Sequence, residues 1–251
     1  MSWLPPLALL ALGVGAWEAI ARLGGIENYL LPAPSEVIDA LIDDHSLLLH
    51  DAWVTGQEVI LGFALALAVG LALAVLLHLS PLLRRAVYPL VIASQAVPVI
   101  VIAPILVIWF GFGIAPKLIV IALICFFPVV VNTFDGLQSV DRAQVRMLRT
   151  LNASRLDIFR HLELPSSLPY LFSGAKVAAA VAVIGAVFGE LVGSDAGLGH
   201  AIQIGTAQLL TARVFAAVVI LSLMAIALFA LVSALERWAI PWAKHHPRAG
   251  H

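Results

Sequence analysis

Six long apolar stretches constrain this chain more than any other feature of its sequence. They cover residues 4–23, 57–79, 86–110, 115–134, 170–193 and 211–238, approximately. An α-helix needs about 20 mostly apolar residues to cross the hydrocarbon core of a bilayer. Only 12% of the residues are charged, which is about half the proportion found in soluble domains. The sequence therefore predicts an all-α membrane protein with six transmembrane helices in a single domain, residues 1–251.

A signal peptide is the alternative explanation of the first apolar stretch. A signal peptide begins with a basic segment, whereas Met1-Ser2-Trp3 carries no cation and the first one is Arg22. The stretch at 4–23 is therefore predicted to be a retained transmembrane helix.

The distribution of cations predicts the orientation of the chain. Residues 24–58 contain seven acidic side chains and no Lys or Arg. With six spans, only Arg22, Lys117 and Arg213 fall on this acidic side. Because Lys and Arg are retained in the cytoplasm, both termini are predicted to be cytoplasmic. Ten cations fall on that predicted cytoplasmic side: Arg84, Arg85, Arg142, Arg146, Arg149, Arg155, Arg160, Arg237, Lys244 and Arg248.

The acidic segment after the first span has the pattern of an amphipathic helix. Apolar residues recur at helical spacing between Ser35 and His50, with Asp39, Asp43 and Asp44 at other positions. Ser35 is the predicted N-cap. Such a helix is too polar to span and is expected to lie at the outer membrane surface. It could simply connect two spans, or it could face an external partner.

A charged segment, Asp135 to Pro169, separates the fourth and fifth apolar stretches. Arg142, Arg146 and Arg149 are four and three residues apart, a spacing that places them on one face of a helix. Asn152 tolerates the left-handed conformation in which helices often end. The segment is therefore predicted to begin with a short basic helix that ends at a tight turn.

A second helix is predicted directly after this turn. Ser154 stands three residues before Asp157, the spacing of a capping box. The helix would present Leu156 and Phe159 and would end at Pro165. The whole segment could be a loop lying on lipid headgroups, or it could be a docking surface for another protein.

A resemblance to a known family favours docking. Permease subunits of bacterial ABC importers carry a cytoplasmic signature of Glu-Ala-Ala, three residues, Gly, nine residues and Ile-x-Leu-Pro. Leu162-x-Leu164-Pro165 resembles the end of this signature, and Asn152 stands at the glycine position. Two departures are evident: Arg146-Met147-Leu148 replaces Glu-Ala-Ala, and Asn replaces Gly. The missing acidic residue puts in doubt any ion pair that the family makes there.

The resemblance covers most of the chain. Leu31-Pro32-Ala33-Pro34-Ser35, Ser139-Val140-Asp141 and Gly197-Leu198-Gly199 resemble the branch for nitrate, sulfonates, taurine and thiamine pyrimidine precursors. It implies a type I importer fold in the bacterial inner membrane, with two permease copies forming a homodimer. It also implies coupling helices between spans four and five, an external solute-binding protein, and cytoplasmic ATPase subunits. The residues implied in ATPase docking are Arg142, Arg146, Arg149, Leu151, Asn152, Ala153, Ser154, Leu156, Asp157, Phe159, Leu162 and Pro165.

No nucleotide-binding motif of the form G-x-x-x-x-G-K-[ST] occurs in the sequence. ATP and magnesium are accordingly expected on the partner ATPase, and this chain is predicted to be no enzyme and to bind no cofactor or metal. A net charge of −1 gives no reason to expect nucleic-acid binding. The terminal His245, His246 and His251 are interpreted as tail residues.

Polar side chains inside apolar stretches are the candidates for a solute pathway, because they are costly in lipid and usually face a bundle interior. Ser94, Gln95 and Pro98 could line or gate it, or could only shape the third span. Lys176 could reach the interface or serve as a counter-ion. Glu190 could act at the outer mouth, although interfacial solvation is favoured. The complete set of candidates is Ser94, Gln95, Pro98, Asn132, Lys176 and Glu190.

Small residues crowd the fifth span, which predicts close helix packing there and a place at the centre of the molecule. The predicted function is the permease subunit of an ABC importer for a small polar solute. Two alternatives remain. A secondary transporter driven by an ion gradient would need ionisable groups at the membrane midplane. An intramembrane enzyme would need convergent His, Asp or Glu, and Ser194, Asp195 and His200 lie too close together in one loop to form a hydrolase triad.

Overall fold

The computed structural model describes residues 4–242. Lys244, Arg248 and the three terminal histidines lie outside these residues. The regular structure of the described part is helical. Its helices are α1 (Leu4–Leu23), α2 (Pro34–Asp43), α3 (His45–Leu79), α4 (Pro81–Ala93), α5 (Val99–Phe110), α6 (Ile114–Gln138), α7 (Arg142–Thr150), α8 (Arg155–Ile158), α9 (Leu164–Gly193), α10 (Leu198–Ala207) and α11 (Thr211–Ala239).

Five helical segments of the described chain are long and apolar enough to cross a membrane, and a bent pair makes the sixth span. The long segments contain α1, α3, α6, α9 and α11. The bent pair consists of α4 and α5, whose axes differ by 102°. The prediction of an all-α protein with six spans is therefore confirmed. The third span, predicted as one helix over 86–110, is instead broken in its middle.

Proline chemistry explains the break in the third span. Pro98 cannot donate a backbone hydrogen bond, and it forces the preceding residue out of the helical region. Val97 is accordingly extended, with φ −87° and ψ 119°. A short 3-10 turn, Ser94–Ala96, connects α4 to this extended residue. The sequence indicated only that Pro98 could shape the third span, and the structure shows two separate helices.

Helices α6 and α9 pack side by side at the centre of the bundle, as the small residues predict. A Cβ atom at Gly174 of α9 would come within 2.5 Å of the Pro128 carbonyl oxygen on α6. A Cβ atom at Gly185 would come within 3.0 Å of the Ile121 Cα. Two backbones this close leave no room for side chains between them, so glycine permits the contact.

The charged side chains of the described chain collect at two opposite ends of the bundle. The basic end holds the carboxyl end of α3, the first turn of α4, and all of α7 and α8, with Arg84, Arg85 and the five arginines of 142–160. The acidic end holds α2, the amino end of α3 and α10, with Glu36, Asp39, Asp43, Asp44 and Asp51. This separation is the one that the sequence predicted.

The predicted amphipathic helix at the acidic end is shorter than expected. Its N-cap is Ala33 rather than Ser35, because the Glu36 carboxylate accepts a hydrogen bond from the Ala33 amide at 3.0 Å. It ends at Asp43, and α3 begins two residues later at His45. The residues from His45 to His50 therefore belong to the second membrane helix, which starts well before residue 57. Helix α10 was not predicted.

Pro165 does not end a helix, contrary to the prediction. A π turn, Phe159–Glu163, joins α8 directly to α9, and Leu164 N donates to the Phe159 carbonyl oxygen. Pro165 follows directly after the π turn, in the first turn of α9. Arg155–Gly193 is therefore one continuous helical segment.

Candidate functional site

The turn between α7 and α8 has the geometry that the sequence predicts. Asn152 has a φ of 60°. Its amide donates to the Arg149 carbonyl oxygen at 3.0 Å, and the Ala153 amide donates to the Leu148 carbonyl oxygen at 3.0 Å. These two bonds form a Schellman motif, which satisfies the last carbonyls of a helix. Asparagine thus makes the turn for which the family signature has glycine.

Ser154 and Asp157 cap α8 reciprocally, as predicted. The Asp157 amide donates to Ser154 Oγ at 3.2 Å, and the Ser154 amide donates to Asp157 Oδ2 at 3.0 Å. Hydrogen bonds from the Ser154 hydroxyl and then from its amide lower the pKa of the Asp157 carboxyl below its ordinary value. The turn is consequently held by hydrogen bonds on both of its sides.

The predicted docking residues divide by exposure into two groups. Phe159, Leu162 and Pro165 are half-buried, as is Ala153. The others are exposed and form what we call the α7–α8 surface. Its apolar members Leu151 and Leu156 are 68% and 54% exposed. The α7–α8 surface consists of Arg142, Arg146, Arg149, Leu151, Asn152, Ser154, Leu156 and Asp157.

The helix behind this surface is fastened to the carboxyl end of α3. His78 Nε2 lies 2.8 Å from Glu163 Oε2, and the His78 and Phe159 rings are 6.2 Å apart between centroids. Arg155 Nη2 donates to the Leu79 carbonyl oxygen at 3.0 Å. Phe159 therefore packs within this internal contact. The sequence suggested that it would project freely, and it does not.

A cleft of about 460 Å³ lies where the third span is broken. Ser94, Gln95 and Pro98, three of the predicted pathway residues, line it from the break. Ser94 Oγ already donates to the Val91 carbonyl oxygen at 2.7 Å, so Gln95 provides the available side-chain hydrogen-bonding groups. The remaining lining is apolar. Val97 comes from the break, and α5, α6 and α9 supply the others: Val99, Ile102, Leu123, Ile124, Phe126, Val181, Ile184 and Phe188.

Three other pathway candidates lie away from this cleft. Asn132 Nδ2 donates to the Pro128 carbonyl oxygen at 2.8 Å within its own helix. Lys176 pairs with Glu236 of α11, with 2.9 Å between Nζ and Oε2, so it acts as a counter-ion. Glu190 lies at the acidic end. None of the three is among the residues that line the cleft.

Glu190 belongs to a group of polar side chains that we call the buried polar network: Thr55, Glu58, Lys117, Glu190 and Ser194. Glu190 is completely buried, so the expectation that it is solvated at the interface was wrong. Thr55 Oγ1 donates to Glu190 Oε1 at 2.6 Å, and the Gly199 amide donates to Oε2. Protein donors thus take the place of water around its carboxyl group.

The sequence analysis missed most of this network. Lys117 was counted as an outer-face cation, but it is 7% exposed, and its Nζ lies 2.6 Å from both Glu58 Oε1 and Ser194 Oγ. Glu58 and Thr55 were not singled out. The available signal was weak: Thr55 and Glu58 fall on one helical face with Asp51, next to an apolar stretch.

The fold and these sites can be compared with known proteins. The family described as "Binding-protein-dependent transport system inner membrane component" matches residues 65–242. The formylaminopyrimidine transport permease protein ThiX of Halalkalibacterium halodurans is 40% identical, over 96% of each chain. The riboflavin transport system permease protein RibX of Chloroflexus aurantiacus is 36% identical, over 94% of this chain and 89% of the relative. The taurine transport system permease protein TauC of Escherichia coli is 29% identical, over 94% and 88%.

A solved structure supports the same fold. The inward-facing MetNI methionine ABC transporter aligns with a TM-score of 0.61 at 21% identity, covering 76% of this chain and 97% of that chain. The predicted type I importer permease fold is thereby confirmed. The sequence relatives share nearly the full length of the chain, and the family match includes the α7–α8 surface and the cleft. The chain therefore belongs to the family of inner-membrane components of binding-protein-dependent transport systems.

Proposed function

We propose that this ABC importer permease forms, as a homodimer, the pathway for a neutral heteroaromatic solute of the pyrimidine class, and that ATPase subunits dock on its α7–α8 surface. The observation that carries the coupling is that Leu156 and Asp157 of the α7–α8 surface belong to the same helical segment as part of the cleft wall. Leu156 docks at one end of Arg155–Gly193, and Val181, Ile184 and Phe188 line the cleft further along it.

The chemistry of the α7–α8 surface supports ATPase docking. Exposed Leu151 and Leu156 stand among three exposed arginines, an apolar centre with a charged rim of the kind found at protein interfaces. ATP binding and hydrolysis would bring the ATPase subunits together and apart. The α7–α8 surfaces would follow, and rigid-body shifts would open the cleft alternately to the two sides.

We predict that Leu156→Asp weakens ATPase association strongly without affecting folding. The exposed side chain makes no contact that folding needs, whereas losing a buried leucine at an interface costs roughly 1.5–3 kcal/mol, or about 10- to 150-fold in Kd. Co-purification with the ATPase measures the loss.

Leu82→Asp is the matched control, because Leu82 is 77% exposed at the same end in α4. Intact association and uptake in Leu156→Asp would refute the docking assignment. Phe159→Asp is less informative, since Phe159 packs on His78.

The character of the cleft supports the solute class. No charged side chain occurs among its described lining residues, so nothing there compensates a sulfonate or nitrate. Phe126, Phe188 and the Gln95 amide suit a flat ring with a hydrogen-bonding edge. The relatives named for formylaminopyrimidine and riboflavin, at 40% and 36% identity, exceed the taurine relative at 29%.

Uptake by the complete transporter in proteoliposomes tests this function. We expect uptake of a formylated aminopyrimidine that requires ATP on the ATPase side and persists after an ionophore collapses ion gradients. Gln95→Leu should reduce this uptake about 5- to 30-fold, because one buried hydrogen bond is worth about 1–2 kcal/mol. Uptake of taurine alone would contradict the solute class. Uptake that survives without ATP but is lost with the ionophore would favour the ion-gradient alternative.

We further propose that the basic end faces the cytoplasm, because cations are retained there, and that a solute-binding protein docks at the acidic end. A depression of about 630 Å³ at that end is lined by Glu36, Asp39, Asp43 and Asp44 together with Arg213. Its predominantly acidic rim favours a basic partner surface.

Cysteine labelling in intact cells is expected to reveal the orientation. The native Cys125 is buried, so an impermeant maleimide should leave it unlabelled. Asp39→Cys, at the exposed acidic end, should react in cells whose outer layers are permeabilised. Arg142→Cys, exposed at the basic end, should react only after lysis. The opposite labelling pattern would reverse the proposed orientation.

A further inference from the structure

One turn at the acidic end holds a leucine in an unusual backbone conformation. Among the described residues, Asn152 and Leu209 are the non-glycine residues with a positive φ, 60° and 58°. Asparagine tolerates this left-handed conformation, whereas a bulky residue such as leucine adopts it rarely and at a cost. A leucine at position 209 therefore needs a reason beyond the turn itself.

The turn has the hydrogen bonds of a Schellman motif. The Leu209 amide donates to the Thr206 carbonyl oxygen at 3.2 Å, and the Leu210 amide donates to the Gly205 carbonyl oxygen at 2.8 Å. Glycine is the residue that fits this position without strain. Because backbone bonds alone end α10 here, the motif does not need a leucine side chain.

Neighbouring contacts fix this turn in place. Thr211 Oγ1 donates to the Tyr29 carbonyl oxygen at 2.6 Å, and the Arg213 guanidinium donates to both oxygens of Asp44, at 2.6 and 2.8 Å. These bonds connect the start of α11 to the end of α2 and to the segment before α2. The surrounding structure thus maintains the strain at Leu209, and such strained residues cluster at functional positions.

The Leu209 side chain faces outwards instead of packing in the core. It is 64% exposed, and it lines the depression of about 630 Å³ at the acidic end. Tyr29 and Leu210, which are 48% and 38% exposed, line the same depression. Burial within this chain therefore does not offset the strain, and an apolar patch is open to a partner.

The surroundings of this apolar patch are negatively charged. Asp39 and Asp43 are exposed and line the depression, and neither forms an ion pair within residues 4–242. Two cations of this end are already paired with other carboxylates: Arg213 with Asp44, and Arg22 with Glu18. A negative rim repels the anionic headgroups of a lipid surface and favours a basic protein surface.

We propose that Leu209 is the apolar anchor by which the solute-binding protein docks on this permease. The inference rests on the proposed function, in which that protein docks at the acidic end. Leu209 inserts into an apolar pocket of the binding protein, and Lys or Arg side chains around that pocket pair with Asp39 and Asp43. Interfaces commonly combine a buried anchor with a polar rim. The fixed turn presents the anchor before the partner arrives, so less ordering is needed on binding.

Binding of the purified solute-binding protein of the same transport system to the complete transporter in nanodiscs tests this anchor. Leu209→Gly should weaken the affinity about 10- to 100-fold, because a central anchor is lost. It should also raise the unfolding temperature, because glycine relieves the strain. A leucine that only stabilised the fold would change the unfolding temperature in the opposite direction. Leu209→Met keeps an apolar side chain and should keep most of the affinity.

Leu82→Ala is the matched control for Leu209→Ala. Both leucines are exposed, but Leu82 lies at the basic end, so only Leu209→Ala should weaken binding. Native affinity in both Leu209→Ala and Leu209→Gly would overturn the proposal. If Leu209→Ala then lowered the unfolding temperature in nanodiscs but not in detergent, the side chain would contact the bilayer instead.

A second set of substitutions separates this anchor from docking at the acidic end as such. Asp39→Lys combined with Asp43→Lys should also weaken binding, since it reverses the charge of the rim. If these substitutions weaken binding and those at Leu209 do not, the anchor is wrong while the docking site stands. If neither set weakens binding, docking at the acidic end is itself wrong.

Discussion

Gly197→Ala adds a single methyl group and is expected to destabilise the protein by about 3–5 kcal/mol, a large effect for one substitution. Gly197 has a φ of 113°, which costs an alanine about 1–2 kcal/mol. Its new Cβ would lie within 2.6 Å of Glu190 Oε2. The carboxylate would have to move, and each buried hydrogen bond that it lost would cost about 1–3 kcal/mol. Thermal unfolding in detergent measures the change.

Gly25→Ala separates the two causes. Gly25 also has a positive φ, 65°, but a Cβ there would meet nothing within 4 Å. It should cost only the backbone strain, about 1 kcal/mol. Equal destabilisation by both substitutions would mean that contact with Glu190 contributes nothing, and the described geometry at the start of α10 would then be wrong.

Lys117→Met is expected to cost about 3–5 kcal/mol, because removing one partner of a buried ion pair leaves the other charge uncompensated. Lys117 Nζ is the partner of Glu58 Oε1 and also donates to Ser194 Oγ. Methionine keeps most of the side-chain volume, so packing changes little. The unfolding temperature should fall accordingly.

The matched control is Lys176→Met, which removes the same charge from a pair that is about a quarter exposed. Exposed pairs contribute about 0–1 kcal/mol, so this substitution should be nearly neutral. Adding Glu58→Gln to Lys117→Met should recover at least half of the loss, since it removes the charge that was left alone. If both lysine substitutions cost the same, burial does not determine the strength of these pairs.

Local rules were sufficient wherever the interacting residues are neighbours in the chain. The Asn152 turn and the Ser154–Asp157 cap could be predicted because each involves residues within five positions of one another. Six spans followed from the length of the apolar stretches. The same local rules failed at Pro165, where a π turn shifted the hydrogen bonds. They indicated that Pro98 could shape the third span but could not predict a 102° bend.

The buried polar network could not be predicted, because its partners are far apart in sequence. Thr55 and Glu190 are 135 residues apart, and Glu58 and Lys117 are 59 apart. Nothing in the spacing of a single sequence links such residues. Lys117 and Glu190 stand near the ends of apolar stretches, where solvation is the ordinary expectation. Helix α10 was missed for a related reason: its ten residues are short, and glycines at 197, 199 and 205 obscure the helical pattern.

The continuous segment Arg155–Gly193 also has a mechanical consequence. Its 39 residues correspond to a rod of about 58 Å at 1.5 Å per residue. If the whole segment rotated by about 5° about the end that carries Leu156, its far end, beside the start of α10, would move by about 5 Å. A small rotation of the segment would thus produce a displacement comparable to the width of a small solute. The π turn and the His78–Glu163 contact lie nearest to the proposed ATPase-docking end and would act as the pivot. Their stiffness would determine how much of the motion reaches the far end of the segment.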